Sequence, residues 1–131
     1  VIWTDGRNDP VPLDAYHSRT NPDIFGMRFP DGEHEALCTD PSVQLHPAVD
    51  DGLVAWEDFR NADDPNSAWD RDANIDIYLL DLETHREVQA TNLPGRERWP
   101  QLNERRLFYS ALDAEGELAV FMVDLEEAGL L

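Results

Sequence analysis

Lysine is absent from this chain of 131 residues, so all ten of its basic residues are arginines. Against them stand 28 aspartates and glutamates, which give a formal net charge of −18 at pH 7. A surface this acidic repels phosphate backbones and anionic lipid, which argues against nucleic-acid and membrane partners. It suits cations, basic proteins or a saline solvent instead.

Cysteine is nearly absent too, because Cys38 stands alone, which excludes an internal disulfide and a cysteine-based metal cluster. No apolar run reaches the roughly 18–20 residues that span a bilayer, so we expect no membrane insertion. The chain opens at Val1 without a leader-like segment, so we expect any export signal to lie outside it. Apolar residues still make up 41 %, which predicts one globular domain over residues 1–131.

Catalytic motifs are also missing. The histidines lack zinc-type spacing, and the sequence contains neither a Gly-x-Ser-x-Gly elbow nor a glycine-rich phosphate loop. Carboxylate pairs carry little information in so acidic a chain. The sequence therefore predicts a protein that is not itself an enzyme.

An internal repeat is the dominant feature of the sequence. The run VIWTDGRN at residues 1–8 reappears as VAWEDFRN at residues 54–61, at an offset of 53, and the same offset carries Asp23-Ile24 onto Asp76-Ile77. Each unit consists of short β-branched and aromatic runs separated by turns, of which Asp50-Asp51-Gly52 is a hairpin turn. The pattern predicts four-stranded antiparallel sheets, an arrangement typical of β-propeller blades.

The second unit resembles the TolB-like (PD40, WD40-like) β-propeller repeat. The resemblance rests on WEDFRN at 56–61, DIYLLDL at 76–82 and TNLPG at 91–95. It implies an all-β fold, a partial propeller of two and a half to three blades, and a periplasmic, cell-surface or secreted location. The expected blades are blade 1 at about 1–41, blade 2 at about 45–95 and a degenerate blade 3 at about 98–127, with three, four and three strands.

The most conspicuous polar residues recur with the repeat. An Asp and an Arg two residues apart at a strand end can pair with each other or with the loop backbone. They are either a repeated ligand contact or a structural clamp that holds each long loop to its blade, and the recurrence favours the clamp. The repeat signature comprises Trp3, Asp5, Arg7, Asn8, Asp23, Trp56, Asp58, Arg60, Asn61 and Asp76.

The loop after Asn61 has features that the first unit lacks. Asp70, Asp72, Asn74 and Asp76 alternate as calcium loops do, although Ile75 stands where an EF-hand needs glycine. The loop is therefore either a looser Ca²⁺ site or a solvated acidic segment. Trp69 either packs this loop down or presents an aromatic anchor to a partner.

We expect a non-catalytic β-propeller scaffold or binding module that presents an acidic loop surface to a protein or another ligand. The alternatives are a propeller segment of a larger hydrolase or lyase, and a calcium-dependent surface protein. We also expect this segment not to close a propeller alone. Its open blade edges would pair with the remaining blades of a longer chain, which we favour, or with further copies as a homo-oligomer.

Overall fold

The structure is a computed structural model and describes residues 1–9, 20–30, 32–67 and 70–131. None of these residues is helical, so the expected all-β class is confirmed for this part of the chain. Its ten strands are β1 (Ile2–Asp5), β2 (Asp23–Met27), β3 (His34–Cys38), β4 (Gln44–Asp50), β5 (Leu53–Asp58), β6 (Asp76–Asp81), β7 (Arg86–Gln89), β8 (Arg98–Asn103), β9 (Arg106–Leu112) and β10 (Leu118–Asp124).

The described strands form three antiparallel sheets in chain order. Sheet 1 contains β1, β2 and β3, sheet 2 contains β4 to β7, and sheet 3 contains β8, β9 and β10. Neighbours in each sheet are consecutive in sequence, as in a meander. The strand numbers of three, four and three agree with the sequence prediction, and none of the sheets closes on itself.

Equivalent turns in sheets 2 and 3 have equivalent backbones. The predicted hairpin turn between β4 and β5 has positive φ at Asp51 (43°) and Gly52 (79°), which is typical of a type I′ turn. The turn between β8 and β9 adopts the same left-handed conformation at Glu104 and Arg105 without glycine. The Asp50 carboxylate accepts a 2.9 Å hydrogen bond from the Glu104 amide, so the two hairpins support each other.

The first strand of each of these two sheets carries a bulge at the same repeat position. His46 in β4 and Trp99 in β8 both have positive φ, at 50° and 57°, and each precedes a proline. The pairing register with the next strand shifts at both places. A bulge re-aims a side chain locally, and here it brings the two rings to a centroid distance of 4.1 Å.

The core lies between the sheets rather than within one of them. Val54, Trp56, Tyr78 and Leu80 on one face of sheet 2 pack with Ile24 and Cys38 of sheet 1. The opposite face of sheet 2 packs against Leu107, Tyr109 and Ala111 of sheet 3. Trp56 and Tyr109, at equivalent repeat positions, are buried, whereas Trp3, at the end of the array, is only partly buried.

Candidate functional site

Asp58 is the centre of the polar cluster at the end of β5. Its carboxylate is fully buried and accepts hydrogen bonds from Trp56 Nε1 (2.8 Å), the Arg60 amide (2.9 Å) and Arg60 Nη2 (2.7 Å). The Arg60 guanidinium lies 3.9 Å from the ring centroid of Tyr78 and binds Glu87 at 2.8 Å. The aspartate therefore ties the strand, the first loop residues and the outer strand β7 together.

The first repeat has the same cluster around Asp5. Its carboxylate accepts hydrogen bonds from Trp3 Nε1 (2.8 Å), the Arg7 amide (2.9 Å) and Arg7 Nη2 (2.6 Å), and the guanidinium lies 4.1 Å from the Phe25 ring centroid. The hydrogen bond from Arg7 and that from Trp3 hold the pKa of Asp5 well below its usual range. Two segments 53 residues apart thus build one geometry.

The asparagines of the signature reach across each loop to the start of the next strand. Asn8 Nδ2 donates to Asp23 Oδ2 and Asn61 Nδ2 donates to Asp76 Oδ2, both at 2.6 Å. Asp23 and Asp76 are fully buried. Desolvation raises the pKa of Asp23. Each asparagine closes its loop by joining the two strands that the loop connects.

Sheet 3 provides an internal comparison, because its loop between β9 and β10 is short. Ala111 stands at the position of Asp58, and no Asp-Arg-Asn triplet follows it. In this short loop one aspartate binds the loop backbone, since Asp113 Oδ1 accepts hydrogen bonds from the amides of Glu115 (3.0 Å) and Glu117 (2.9 Å). The triplet occurs where the loop is long, which indicates that it holds the loop in place.

The two long loops meet at the same end of sheets 1 and 2. The Thr20 amide donates to the Asn66 carbonyl at 3.0 Å, and Asn66 Nδ2 donates to the Pro41 carbonyl at 2.7 Å. The loop after β5 also has its own small core, in which Phe59 and Ile75 are fully buried. We call the residues of these loops that are not buried, namely Asp9 and residues 20–21, 60–61, 63–67, 70–72 and 74, the acidic loop surface; Asp63 and Asp72 are exposed on it.

Only some of the predicted metal ligands are neighbours in the structure. Asn74 Nδ2 lies 3.4 Å from Asp76 Oδ2, while Asn74 Oδ1 accepts a 3.0 Å hydrogen bond from the Gly95 amide. Asp70 Oδ1 accepts the Asp72 amide at 2.9 Å. Among the described residues, no three His, Cys, Asp or Glu side chains converge as a metal site. The calcium site stays a prediction, and Trp69 lies outside the described residues.

Glu97 is a buried acid that the sequence reasoning missed. It accepts hydrogen bonds from the Thr91 hydroxyl and from the Leu93 amide, the latter at 2.8 Å. Burial and the neighbouring Asp76 carboxylate raise the pKa of Glu97 to about 7. The repeat held the signal for it, because the equivalent residue, Gln44, is also polar and is fully buried.

Glu57 was missed as well, and it joins sheet 2 to sheet 3. This fully buried carboxylate accepts hydrogen bonds from the Trp99 amide (2.8 Å) and from Arg98 Nε (3.1 Å). Its Oε1 also lies 3.0 Å from His46 Nδ1. The cluster bridges two sheets through buried charge, so we regard it as a part of the scaffold.

Cys38, the single cysteine, is buried in the core between sheets 1 and 2. Desolvation raises the pKa of its thiol to about 12, and the nearby Asp58 and Glu87 carboxylates act in the same direction. Because the thiolate is the reactive form, this environment is the opposite of the one that activates a cysteine nucleophile.

No protein-family model, curated protein or solved structure matches the chain. No helix long and apolar enough to cross a bilayer occurs in the described residues. Within the chain, equivalent residues of the first two repeat units make equivalent contacts.

Proposed function

We propose that this chain is a non-catalytic scaffold or binding module whose three sheets are consecutive blades of a TolB-like β-propeller. Three features support the blade interpretation: the meander order of the strands, the packing of neighbouring sheets through their faces, and the 53-residue repeat. The absence of catalytic motifs from the sequence supports a binding role rather than a chemical one.

The hydrogen bonding of the signature residues supports a structural role for them. Asp5 and Asp58 use their oxygens on the strand, the loop and the paired arginine. Groups that are already paired inside the protein offer few free donors or acceptors to a ligand. We therefore assign them to the support of the loops and assign binding to the surface that the loops form.

The observation that carries this proposal is the contact between the two long loops through Thr20 and Asn66. It makes one continuous acidic loop surface from segments of two sheets, and loops on a rigid scaffold are common binding sites. Its exposed carboxylates complement a basic surface, which raises association rates and sets orientation. The proposed partner is a protein with a basic patch.

A polyarginine peptide provides a defined probe for this surface. In isothermal titration calorimetry, the Asp63→Asn, Asp72→Asn variant should bind the peptide several-fold more weakly than the unmodified chain. The matched control is Asp51→Asn, Glu83→Gln, which removes the same charge from exposed residues in turns at the other end of the sheets. If both variants bound the peptide equally weakly, the effect would come from net charge alone and a localised site would be refuted.

A further inference from the structure

Sheet 3 exposes an apolar face to solvent. Leu112, Leu118, Val120 and Met122 are 63, 76, 76 and 54 % exposed, respectively. They lie on one side of the sheet, because Leu118 pairs with Leu112 and Met122 pairs with Phe108 in the antiparallel register. We call these five residues the open face. A contiguous apolar patch of this kind marks an interaction surface.

Sheet 2 uses the equivalent face to bind sheet 3. In sheet 2 Ala55 pairs with Leu79, and in sheet 3 Phe108 pairs with Met122. Phe108 lies 53 residues after Ala55, so the two pairs occupy equivalent positions. Ala55 and Leu79 are 0 and 1 % exposed because they pack against Leu107, Tyr109 and Ala111. The open face is therefore one half of an interface whose complete form is present inside the same molecule.

Sheet 1 carries the other half of that interface. Trp56 and Tyr78 form the stacked pair by which sheet 2 packs on sheet 1, with ring centroids 6.3 Å apart and an interplanar angle of 28°. Trp3 and Phe25 form the same stack at 6.5 Å and 29°. Trp3 is partly exposed and its ring contacts Phe25 and His34, both of sheet 1. Val1, two residues before it, is 67 % exposed.

We propose that the open face is the docking surface for a second copy of this chain, which binds head to tail through the Trp3 side of its sheet 1. A second copy of this chain fits the open face, since each molecule presents both halves of the interface; further blades of a longer chain would use the same face. A groove of about 470 Å³ beside Trp99 lies between Leu112 and Leu118 of the open face and Arg71 and Asp72 of the acidic loop surface. Such a heterologous contact closes into a ring or extends into a longer assembly.

Self-repulsion opposes this association, because each copy carries a net charge of −18. Salt therefore strengthens it: at about 1 M NaCl the Debye length falls to about 3 Å, while burial of apolar surface is maintained. We expect light scattering to record an average mass that rises with protein concentration and rises further at high salt. A monomer at all micromolar concentrations in both salts would overturn the proposal.

Two variants distinguish association through the open face from non-specific association. Val120→Glu changes a side chain that is already exposed, so it should leave the melting temperature unchanged and make the chain monomeric. Leu93→Glu, at a 41 % exposed residue outside the strands, is the control and should associate as the unmodified chain does. Loss of association in both variants, or in neither, would contradict the assignment.

A mixing experiment tests the head-to-tail arrangement. Val1→Glu damages the Trp3 side, so this variant should also be monomeric alone, but an equimolar mixture with Val120→Glu retains one intact interface and should form a dimer. Pairing of two open faces with each other predicts that Val1→Glu associates normally and that the mixture does not recover. That result would refute head-to-tail docking, while the polyarginine titration remains a separate test of the acidic loop surface.

Discussion

Replacement of Glu97 by glutamine isolates the contribution of one buried carboxyl group to the pH dependence of stability. Glu97 is fully buried beside Asp76, and its pKa rises from 4.5 to about 7, mainly because burial disfavours the charged form. Between these two values the folded protein holds a proton that the unfolded chain has released. The stability that Glu97 contributes is therefore complete below about pH 4.5 and is lost as the pH rises to about 7.

The raised pKa sets an upper limit on the effect. A rise from 4.5 to about 7 corresponds to at most about 3 to 4 kcal/mol, because each pKa unit corresponds to about 1.4 kcal/mol. Glutamine cannot ionise, and its carbonyl oxygen can still accept the Leu93 amide, while its amide group takes the place of Oε2 and can donate to the Thr91 hydroxyl oxygen. The Glu97→Gln variant should therefore gain stability relative to the unmodified chain as the pH rises, by up to that amount.

Urea unfolding at a series of pH values measures this difference directly. The control is Glu83→Gln, which removes the same charge from an exposed position, so it corrects for the self-repulsion of the whole chain. We expect the free energy of unfolding of Glu97→Gln to diverge from that of the unmodified chain between about pH 4.5 and 7, while the control runs parallel. Parallel profiles for all three proteins would refute the reasoning.

Three further predictions follow from the structure. Asp58→Asn should destabilise the chain by about 3 kcal/mol or more in urea unfolding, because it leaves a buried charge pair incomplete. Asp5→Asn, at the equivalent but more exposed position, should cost only about 1 kcal/mol. Equal losses of stability in the two variants would contradict this prediction. Cys38 should resist iodoacetamide at pH 8 until the protein unfolds, since its thiol has a pKa of about 12, and rapid labelling of the native chain would contradict its burial. The calcium interpretation predicts that Ca²⁺ stabilises the chain, by about 2.7 kcal/mol at a hundredfold excess over the dissociation constant. The double variant Asp70→Asn, Asp72→Asn should lose this stabilisation, and NaCl of matched ionic strength should not reproduce it.

The strands were predictable because their apolar residues are β-branched or aromatic and because the same runs recur in the repeat. Residues 53–56 and 75–80 indicated the two central strands of sheet 2, which the structure places at Leu53–Asp58 and Asp76–Asp81. The hairpin at Asp51 and Gly52 was predictable from its turn chemistry. Local sequence carries this information, since strand propensity and turn geometry involve near neighbours.

The buried acids were not predictable from local sequence. In a chain with 28 acidic residues, Glu57 and Glu97 look like ordinary surface carboxylates. Their burial depends on partners far away in sequence, because Glu57 binds the Trp99 amide, 42 residues later. The repeat aligns Glu97 with another polar residue, Gln44, but only the structure shows that both are buried. Long-range pairing of this kind needs the fold.

Buried acids at the strand ends also hold the described loop residues next to them. Asp58 is fully buried and paired with Arg60, and the fully buried Asp76 accepts a hydrogen bond from Asn61 at Oδ2. Such pairing reduces the cost of burying charge and fixes the geometry of the loop that follows. The carboxylates left outside, such as that of Asp72, are then held on a defined surface instead of on a freely moving segment. A binding surface whose geometry is fixed in advance loses less conformational entropy when a partner docks, which is the advantage that the repeated clamp gives to the acidic loop surface.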